Sequence, residues 1–315
     1  MDITFSFIIP HFNDFSRLNR LLNSIPANRC IEIIVVDDNS KENTESIAHI
    51  LTRYNVKFIY NDSEKRGAGA CRNIGLRNSV GEWIIFADSD DYFIDLTCHK
   101  LINFVSEEYD CIYFNPTSYD EGLNGIGSRH LTYKNIISGY FLNKNELDLR
   151  YRYVVPWSKI YKRSFLFAND ILFDEVIASN DVMFSTKVGL MMRKFKVYNE
   201  IIYCVTQSKG SLTKNISRNV FRARLKVEID RYKFLSNRIS GEDFKELNLV
   251  ARGFIIGSIK YGLGVKELVR TFSELQKNKV KLGLLVLLNP FVTSSKIIKH
   301  FKHYKNNKNM WVKNE

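Results

Sequence analysis

The sequence predicts an α/β fold, a doubly wound sandwich with a mainly parallel central sheet, and three observations support this prediction. Short apolar runs alternate with segments of helical periodicity through the first half of the chain. Two of the runs, residues 31–36 and 83–86, are almost continuously apolar, which is typical of strands covered on both faces. Polar clusters follow three of the runs, at the sheet edge where ligands of such folds bind.

A small set of strands and helices accounts for this alternation. The predicted strands are Phe5 to Pro10, Ile31 to Asp37, Val56 to Tyr60, Trp83 to Asp88 and Cys111 to Phe114. The predicted helices between them are Phe15 to Ser24, Asn43 to Tyr54 and Ala70 to Ser79. Residues 116–217 have a mixed pattern with one predicted helix, Asn180 to Arg193. Beyond residue 217, Lys and Arg at helical spacing predict a basic helical extension.

The charge of the chain favours anionic partners. Its 315 residues include 46 Lys and Arg against 34 Asp and Glu, which gives a formal net charge of +12. Five scattered cysteines without a CxxC pair indicate neither a disulfide framework nor a zinc site. We therefore expect the protein to reside in the reducing cytoplasm. We expect no signal peptide, because the N-terminus lacks a basic segment, and no apolar run has the roughly 18 residues of a spanning helix.

An acidic cluster, Asp88-Ser89-Asp90-Asp91, follows the fourth predicted strand, with Asp95 just beyond it. Carboxylates packed this closely repel one another unless they share a cation, and their oxygens suit Mg²⁺ or Mn²⁺. The alternative is that they cap the next helix, Asp91 above all, since Asp is favoured at helix N-termini.

Two further clusters favour a nucleotide diphosphate. Asp37-Asp38-Asn39-Ser40 ends the second strand, so one carboxylate can cap the following helix while the other accepts a hydrogen bond from a pyrimidine base. The segment Arg66 to Asn73 combines two guanidinium groups with glycines at a helix start, which suits a diphosphate. It follows the third strand and lacks a third glycine, which counts against NAD binding.

These motifs together resemble glycosyltransferase family 2, the inverting nucleotide-sugar glycosyltransferases with the GT-A fold. The resemblance is carried by Phe5 to Asn13, Ile34 to Ser40, Arg72 to Gly75 and Gly81 to Asp91, and it continues more weakly to about residue 215. It implies a GT-A domain at residues 1–215, with a nucleotide-binding half at 1–115 and an acceptor-binding half at 116–215. The basic, mainly helical region then covers residues 216–315.

The resemblance also implies roles for individual residues. The position matching Asp38 contacts the base, Phe12 lies against it, and the matches of Asp88 and Asp90 serve ribose and metal, with Asp90 as direct ligand to Mn²⁺ or Mg²⁺. The expected metal ligands are thus Asp90 and Asp88. The expected nucleotide-sugar site comprises Pro10, Phe12, Asn13, Asp38, Arg66, Arg72, Asn73, Asp88 and Ser89.

On the acceptor side, Asp181 matches the family's general base, which deprotonates the acceptor hydroxyl. Asn180 stands where the family usually has Glu, which bears on how Asp181 is oriented, or it caps the helix that follows. Trp157 lies in a stretch common in bacterial members, where an aromatic ring can pack on a sugar; a core position is the alternative.

The implied activity is transfer of one hexose or N-acetylhexosamine from a nucleotide sugar, UDP-linked by expectation, to a glycan hydroxyl. The acceptor would sit on a lipid-diphosphate carrier, in capsule, O-antigen or exopolysaccharide assembly. The chain lacks the Gln-x-x-Arg-Trp motif of processive synthases after Asp181, so one sugar per encounter is expected. The alternatives are a sugar-phosphate nucleotidyltransferase and a non-catalytic scaffold, for which Asn180 is the hint.

The C-terminal tail is basic and amphipathic. Ile297, Ile298, Phe301 and Tyr304 share one helical face that lysines flank on both sides, near the apolar run from Leu284 to Leu288. This pattern predicts either a helix that lies on an anionic membrane or one docked on the main domain. The family resemblance implies that such a membrane is the cytoplasmic membrane, at its inner face. Nucleic acid is not an expected partner, because the aromatic residues form no binding module and an acidic cleft repels phosphates.

Overall fold

The computed structural model describes residues 3–41, 56–208 and 217–283. The chain divides into two compact units, the first ending at Val227 and the second beginning at Glu228. The predicted helix from Asn43 to Tyr54 and the predicted tail helix lie outside the described residues.

Nine strands of the described residues form one sheet in the first unit, in the order β3-β2-β1-β4-β8-β6-β9-β5, with β7 paired to β6. The four strands β3, β2, β1 and β4 are parallel, whereas β8 and β5 run antiparallel to their neighbours. The strands are β1 Phe5–His11, β2 Ile31–Asp37, β3 Val56–Tyr60, β4 Trp83–Phe86, β5 Tyr92–Phe93, β6 Cys111–Asp120, β7 Gly125–Ile126, β8 Lys159–Lys162 and β9 Phe195–Gln207.

Helices connect most of these strands. In the first unit they are α1 Phe15–Ser24, α2 Ala68–Asn78, α3 Cys98–Phe104, α4 Leu131–Asn143, α5 Glu146–Arg152, α6 Arg163–Ala168 and α7 Asn180–Met191. Helix α8 Arg218–Ser236 leads into the second unit, whose described helices are α9 Gly241–Leu247, α10 Arg252–Lys260 and α11 Val265–Lys277. Among the described residues, no helix has the length and apolar character needed to cross a membrane.

The apolar pattern of β2 places it inside the molecule, as predicted. Ile33 and Val35 belong to the large core cluster, whereas Ile34 and Val36 pack with Cys71 of α2 in a smaller one. Because successive side chains of a strand point to opposite faces, both faces of β2 are covered. The predicted α/β class is thereby confirmed.

The structure corrects several element predictions. Strand β4 ends at Phe86, two residues before the predicted end, and residues 116–217 hold far more regular structure than one helix. Within the Gly-rich residues 122–127, Gly125–Ile126 form the short strand β7, which pairs with the end of β6. Strand β9 has 13 residues and was missed, because exposed polar residues interrupt its apolar run and its register with β6 shifts.

A glycine allows α2 to pack closely on the sheet. A Cβ atom at Gly75 would lie 2.4 Å from Cγ2 of Ile8 on β1, whereas one at Gly139 in α4 would meet nothing within 4 Å. We therefore expect Gly75→Ala to lower the free energy of unfolding by about 1–3 kcal/mol through overpacking. The matched change Gly139→Ala should raise it by roughly 0.5–1 kcal/mol, because alanine is the better helix former. Urea unfolding of both variants measures this; equal effects would contradict the close contact.

Candidate active site

A cleft of about 460 Å³ lies at the carboxyl ends of the parallel strands. His11, the last residue of β1, pairs with Asp37, the last of β2, so the segments that follow these strands begin side by side. The residues that line the cleft are Pro10, His11, Phe12, Asp14, Arg17, Asp38, Gly67, Ala68, Cys71, Arg72, Asp88, Ser89 and Asp90. The structure thus brings together seven of the expected site residues: Pro10, Phe12, Asp38, Arg72, Asp88, Ser89 and Asp90.

One wall of the cleft is built around Asp38. Its carboxylate accepts hydrogen bonds from the Asn61 side chain at 2.7 Å and from the backbone N–H of Gly67 at 2.7 Å. Gly67 has φ +100°, a conformation that favours glycine, and it precedes the first residue of α2. Phe12 is 57% exposed, so a large apolar ring is available beside this carboxylate in the same cleft.

Asp37 has a different task from its neighbour. Its carboxylate accepts hydrogen bonds from both the N–H and the hydroxyl of Ser40, which shapes the turn after β2. The sequence predicts that one of these two aspartates caps the following helix while the other reaches into the cleft. That helix lies outside the described residues, so the capping role stays a prediction.

Arg72 of α2 joins the cleft to the first turn of α7. Its guanidinium donates to Oδ1 of Asp88 at 2.5 Å and to Oδ1 of Asn180 at 2.8 Å, and it lies 5.2 Å from the ring centroid of Phe173. The side chain is 6% exposed, so this cation is held by its partners rather than by solvent. Asn180 is the first residue of α7 and Asp181 the second, so Arg72 connects the acidic cluster to the segment that carries Asp181.

The turn at residues 88–91 is fixed from beneath by β9. Tyr203 accepts a hydrogen bond from the backbone N–H of Asp88 at 2.9 Å and donates its own to Oδ2 of Asp91 at 2.8 Å. Oδ1 of Asp91 accepts from the backbone N–H of Thr206 at 2.7 Å. Asp91 is 1% exposed and strand β5 follows it, so the prediction that it caps a helix is wrong.

Asp90 differs from Asp91 in facing the cleft. Its backbone carbonyl accepts a hydrogen bond from Arg20, whose guanidinium also donates to Thr206 Oγ1 at 2.9 Å. Carboxylate oxygens of Asp88, Asp90 and Asp91 lie within 4.8 Å of one another. Both oxygens of the Asp91 carboxylate accept hydrogen bonds, from Tyr203 and from Thr206, and one oxygen of Asp88 accepts from Arg72. Asp90 is therefore the carboxylate of this group that is most available to a cation.

Three carboxyl groups at the site, those of Asp90, Asp91 and Asp181, have raised pKa values, and burial is the largest cause in each. Burial raises the pKa of Asp90, and the nearby Asp88 carboxylate raises it further, while Arg129 opposes the shift. Burial also raises the pKa of Asp181, and the Arg72 guanidinium opposes part of that rise. Carboxyl groups whose pKa is shifted by burial and by nearby charges are candidates for metal binding and proton transfer.

Two expected nucleotide contacts lie beside the cleft instead of in it. Asn13 has φ +50°; its N–H donates to Ser40 Oγ, and its side chain accepts from the N–H of Lys41. Arg66 donates to the backbone carbonyl of Asn61 at 2.6 Å. Both side chains shape the loops around Asp38, and neither lines the cleft.

Asn73 and Trp157 were expected to contact ligands, and the structure corrects both expectations. The Asn73 amide is 2% exposed and pairs with both backbone polar groups of Phe173, at 2.9 Å and 3.0 Å. Trp157 is 1% exposed and stacks on Tyr203 with a 15° interplanar angle, so the core alternative is the observed one. Asp95, which follows the acidic cluster in sequence, is exposed and pairs with Lys100.

Several residues that line or support the cleft were not identified from the sequence. Asp14 accepts from the backbone N–H of Arg17 and so caps α1, and both side chains line the cleft. An Asp before a predicted helix is a capping signal that could have found this pair. Tyr203 and Arg20 have no local signal, because their roles depend on the tertiary pairing of distant segments.

A family model described as "Glycosyl transferase family 2" matches residues 6–167, which is more than half of the chain. The chain belongs to glycosyltransferase family 2. The matched segment includes every cleft-lining residue, while Asp181 and Tyr203 lie beyond it.

Two curated bacterial relatives are named as glycosyltransferases. The chain is 29% identical over 213 residues to the poly(ribitol-phosphate) beta-N-acetylglucosaminyltransferase TarS of Staphylococcus aureus, covering 65% of this chain and 36% of TarS. It is 24% identical over 253 residues to the GalNAc(5)-diNAcBac-PP-undecaprenol beta-1,3-glucosyltransferase of Campylobacter jejuni, covering 76% and 78%. The chain thus spans only about a third of the length of TarS.

Solved structures confirm the GT-A fold. The structure of S. aureus TarS residues 1–349 in complex with UDP-GlcNAc superimposes with a TM-score of 0.67 at 23% identity, covering 87% of this chain and 81% of that one. The mannosyltransferase PcManGT of Pyrobaculum calidifontis, solved with GDP-Man and Mn²⁺, has a TM-score of 0.51 at 14% identity, covering 99% and 88%.

Proposed function

We propose that this protein is an inverting glycosyltransferase that moves one hexose or N-acetylhexosamine from a UDP-linked sugar to a hydroxyl of a glycan acceptor. The observation that carries the proposal is the Arg72 bridge, which connects Asp88 in the donor cleft to the segment bearing Asp181. In this proposal the Arg72 bridge holds the donor and the general base Asp181 close together, as a single displacement requires. The family supports transfer over nucleotidyl chemistry. A cleft-lining Asp90, together with the bond that ties the segment of Asp181 to Arg72, supports catalysis over a scaffold.

In this proposal Asp38 and Phe12 hold the nucleobase of the donor. The Asp38 carboxylate, already oriented by Gly67 and Asn61, accepts a hydrogen bond from the base N–H, and the exposed Phe12 ring packs on it. UDP-GlcNAc, the donor bound in the TarS structure, supports a UDP-linked sugar.

Asp90 and Asp88 would hold Mn²⁺ or Mg²⁺. The fit rests on the donor set: Asp90 faces the cleft, one Asp88 oxygen remains beside the Arg72 pair, and both are hard oxygen ligands. A bound divalent ion supplies Lewis acidity that offsets the charge of the departing diphosphate. Arg72 adds a fixed positive charge on the same side of the cleft.

Asp181 is the proposed general base. An inverting transfer needs one base that takes the acceptor proton opposite the leaving group, within about 3 Å of the acceptor oxygen. The positive charge of Arg72 stabilises the ionised form of Asp181. The partner of Arg72, Asn180, is neutral where the family has Glu, so it does not neutralise this charge. The acceptor is proposed to be a glycan on a lipid-diphosphate carrier at the inner face of the cytoplasmic membrane, in surface-polysaccharide assembly.

A panel of nucleotide sugars tests the proposal. A ligand that binds only the folded protein raises its apparent stability by RT ln(1 + [L]/Kd), so thermal shifts with and without Mn²⁺ rank the donors. We expect a UDP-sugar to give the largest shift and Mn²⁺ to increase it. Stabilisation by nucleoside triphosphates alone would favour the nucleotidyltransferase, and no stabilisation by any donor would contradict the proposal.

The pH dependence of transfer should report Asp181. Because the base acts ionised and burial raises its pKa, kcat/KM should fall with acid around a midpoint above about 3.9, the ordinary value for Asp. The variant Asn180→Asp keeps the acceptor for Arg72 and adds a like charge beside Asp181, so the midpoint should move up by on the order of one pH unit. An unchanged midpoint would contradict the assignment.

Tyr203 should matter for the metal although it does not line the cleft. In Tyr203→Phe the backbone N–H of Asp88 and the Asp91 carboxylate each lose a partner, so the turn that presents Asp90 loosens. We expect the affinity for Mn²⁺ in the presence of UDP to fall about tenfold, as when a supporting hydrogen bond to a metal site is removed. Calorimetric titration with Mn²⁺ measures this.

Tyr153→Phe is the matched control. It also removes a buried tyrosine hydroxyl, one that donates to the carbonyl of Phe114 at 3.2 Å, far in sequence from the acidic turn. Both variants should lose about 0.5–1.5 kcal/mol of stability, but only Tyr203→Phe should lose metal affinity. Equal Mn²⁺ affinities in the two variants would show that Tyr203 acts on stability alone.

A further inference from the structure

Helix α11 in the second unit buries two polar side chains beside Leu275 and exposes several apolar ones. Its buried side includes Glu267 and Thr271, at 4% and 0% exposure, whereas Val265 and Val269 are 76% and 61% exposed and Phe272 is 43% exposed. Residues at i, i+4 and i+7 share one face of a helix, so the last three form a continuous apolar strip. We call these three residues the α11 stripe.

Basic side chains flank the α11 stripe. Lys266 and Arg270 each follow a stripe residue by one position, and Lys277 continues the same row toward the end of the helix. These are the charged side chains of α11 that are exposed; Glu267 is buried, and the half-buried Glu274 pairs with Arg270 at 2.9 Å. Helix α10 packs against α11, exposes Ile256 and Ile259, and ends at Lys260.

We propose that the α11 stripe docks on an anionic lipid surface. An apolar strip beside a row of Lys and Arg is the arrangement of helices that lie in a membrane interface, where the stems reach along the surface and the charges contact anionic headgroups. Lysine is depleted at the cores of protein interfaces, so the flank fits a protein partner less well. A second copy of this chain would bring two basic flanks together, which like-charge repulsion disfavours.

The inference concerns where the protein works and does not rest on the transfer reaction. None of the stripe residues is among those that line the donor cleft. Transfer to a water-soluble acceptor should therefore be the same in wild type and stripe variants, while partition to lipid changes.

Co-sedimentation with sucrose-loaded vesicles tests the proposal on the full chain. The vesicles are 70% phosphatidylcholine and 30% phosphatidylglycerol, compared with pure phosphatidylcholine, at low and high salt. The variant Val265→Ser/Val269→Ser removes the most exposed part of the stripe. Its matched control, Ile126→Ser/Leu142→Ser, removes two side chains that are 82% and 87% exposed in the first unit.

We expect wild type and control to bind the anionic vesicles and to be released by salt, and the stripe variant to partition at least about tenfold less. A charge variant, Lys266→Gln/Arg270→Gln, should lose binding to anionic vesicles with the stripe intact. Equal binding by stripe variant and control would overturn the proposal, as would absence of binding by wild type. A change in oligomeric state on sedimentation, without a change in lipid binding, would assign the stripe to self-association and also overturn it.

Discussion

Replacement of Asp181 by Asn is expected to lower kcat by roughly 10²–10⁴-fold, the contribution of a positioned general base. Asn cannot take the acceptor proton, yet it has nearly the shape of Asp and keeps the first turn of α7. Donor affinity should stay near that of wild type, because Asp181 does not line the donor cleft. Release of UDP in a coupled assay, with donor binding measured by calorimetry, separates the two effects.

The control for this variant is Asp170→Asn. Asp170 is exposed and has φ +48°, a conformation that Asn tolerates equally well. It should have wild-type kcat and stability. Substantial turnover in Asp181→Asn, within about tenfold of the control, would remove Asp181 as the base and would direct the search to other carboxylates near Arg72.

Replacement of Asp90 by Asn is the second variant with a large expected effect. It removes the cleft-facing carboxylate of the acidic turn while leaving the Arg20 bond to its carbonyl available. We expect Mn²⁺ affinity in the presence of UDP to fall by more than the tenfold of Tyr203→Phe, and kcat to fall by roughly 10²–10³-fold as leaving-group stabilisation is lost. Titration of activity with Mn²⁺ measures both.

Asp95→Asn provides the matched control for Asp90. Asp95 lies five residues further along the same acidic segment, but it is exposed and forms an ion pair with Lys100. Its loss should change neither metal affinity nor turnover. If Asp90→Asn were as active as Asp95→Asn, or if chelation of divalent ions left transfer unchanged, the proposed metal role would be wrong.

The strand-end sites were accessible from the sequence because local pattern and topology agree there. Continuous apolar runs at β2 and β4 predict buried parallel strands, and polar residues directly after such strands must meet at one edge. Asp38 and Asp90 could therefore be placed in one cleft before any coordinates were known. Arg72 followed from its position in the first turns of α2, where a cation faces that edge.

The supporting groups could not be predicted in this way. Tyr203 reaches Asp91 across 112 residues of sequence, through a strand whose register with β6 is irregular, and no local pattern encodes such a pairing. Trp157 illustrates the reverse difficulty. An aromatic residue at this point of the sequence can pack either on a bound sugar or in the hydrophobic core. Only its stacking on Tyr203, which the structure shows, assigns it to the core.

The anomeric configuration of the first-formed product tests the central claim most directly. Wild-type protein is incubated with Mn²⁺, an α-linked donor such as UDP-N-acetylglucosamine or the donor selected by the panel, and a glycan acceptor, and the anomeric protons are followed by NMR. In a parallel reaction without a glycan acceptor, water serves as the acceptor. We predict a β-configured sugar together with free UDP, formed roughly 10²–10⁴-fold more slowly by Asp181→Asn. An α-configured product, or turnover by Asp181→Asn within about tenfold of wild type, would contradict the proposed inverting transfer.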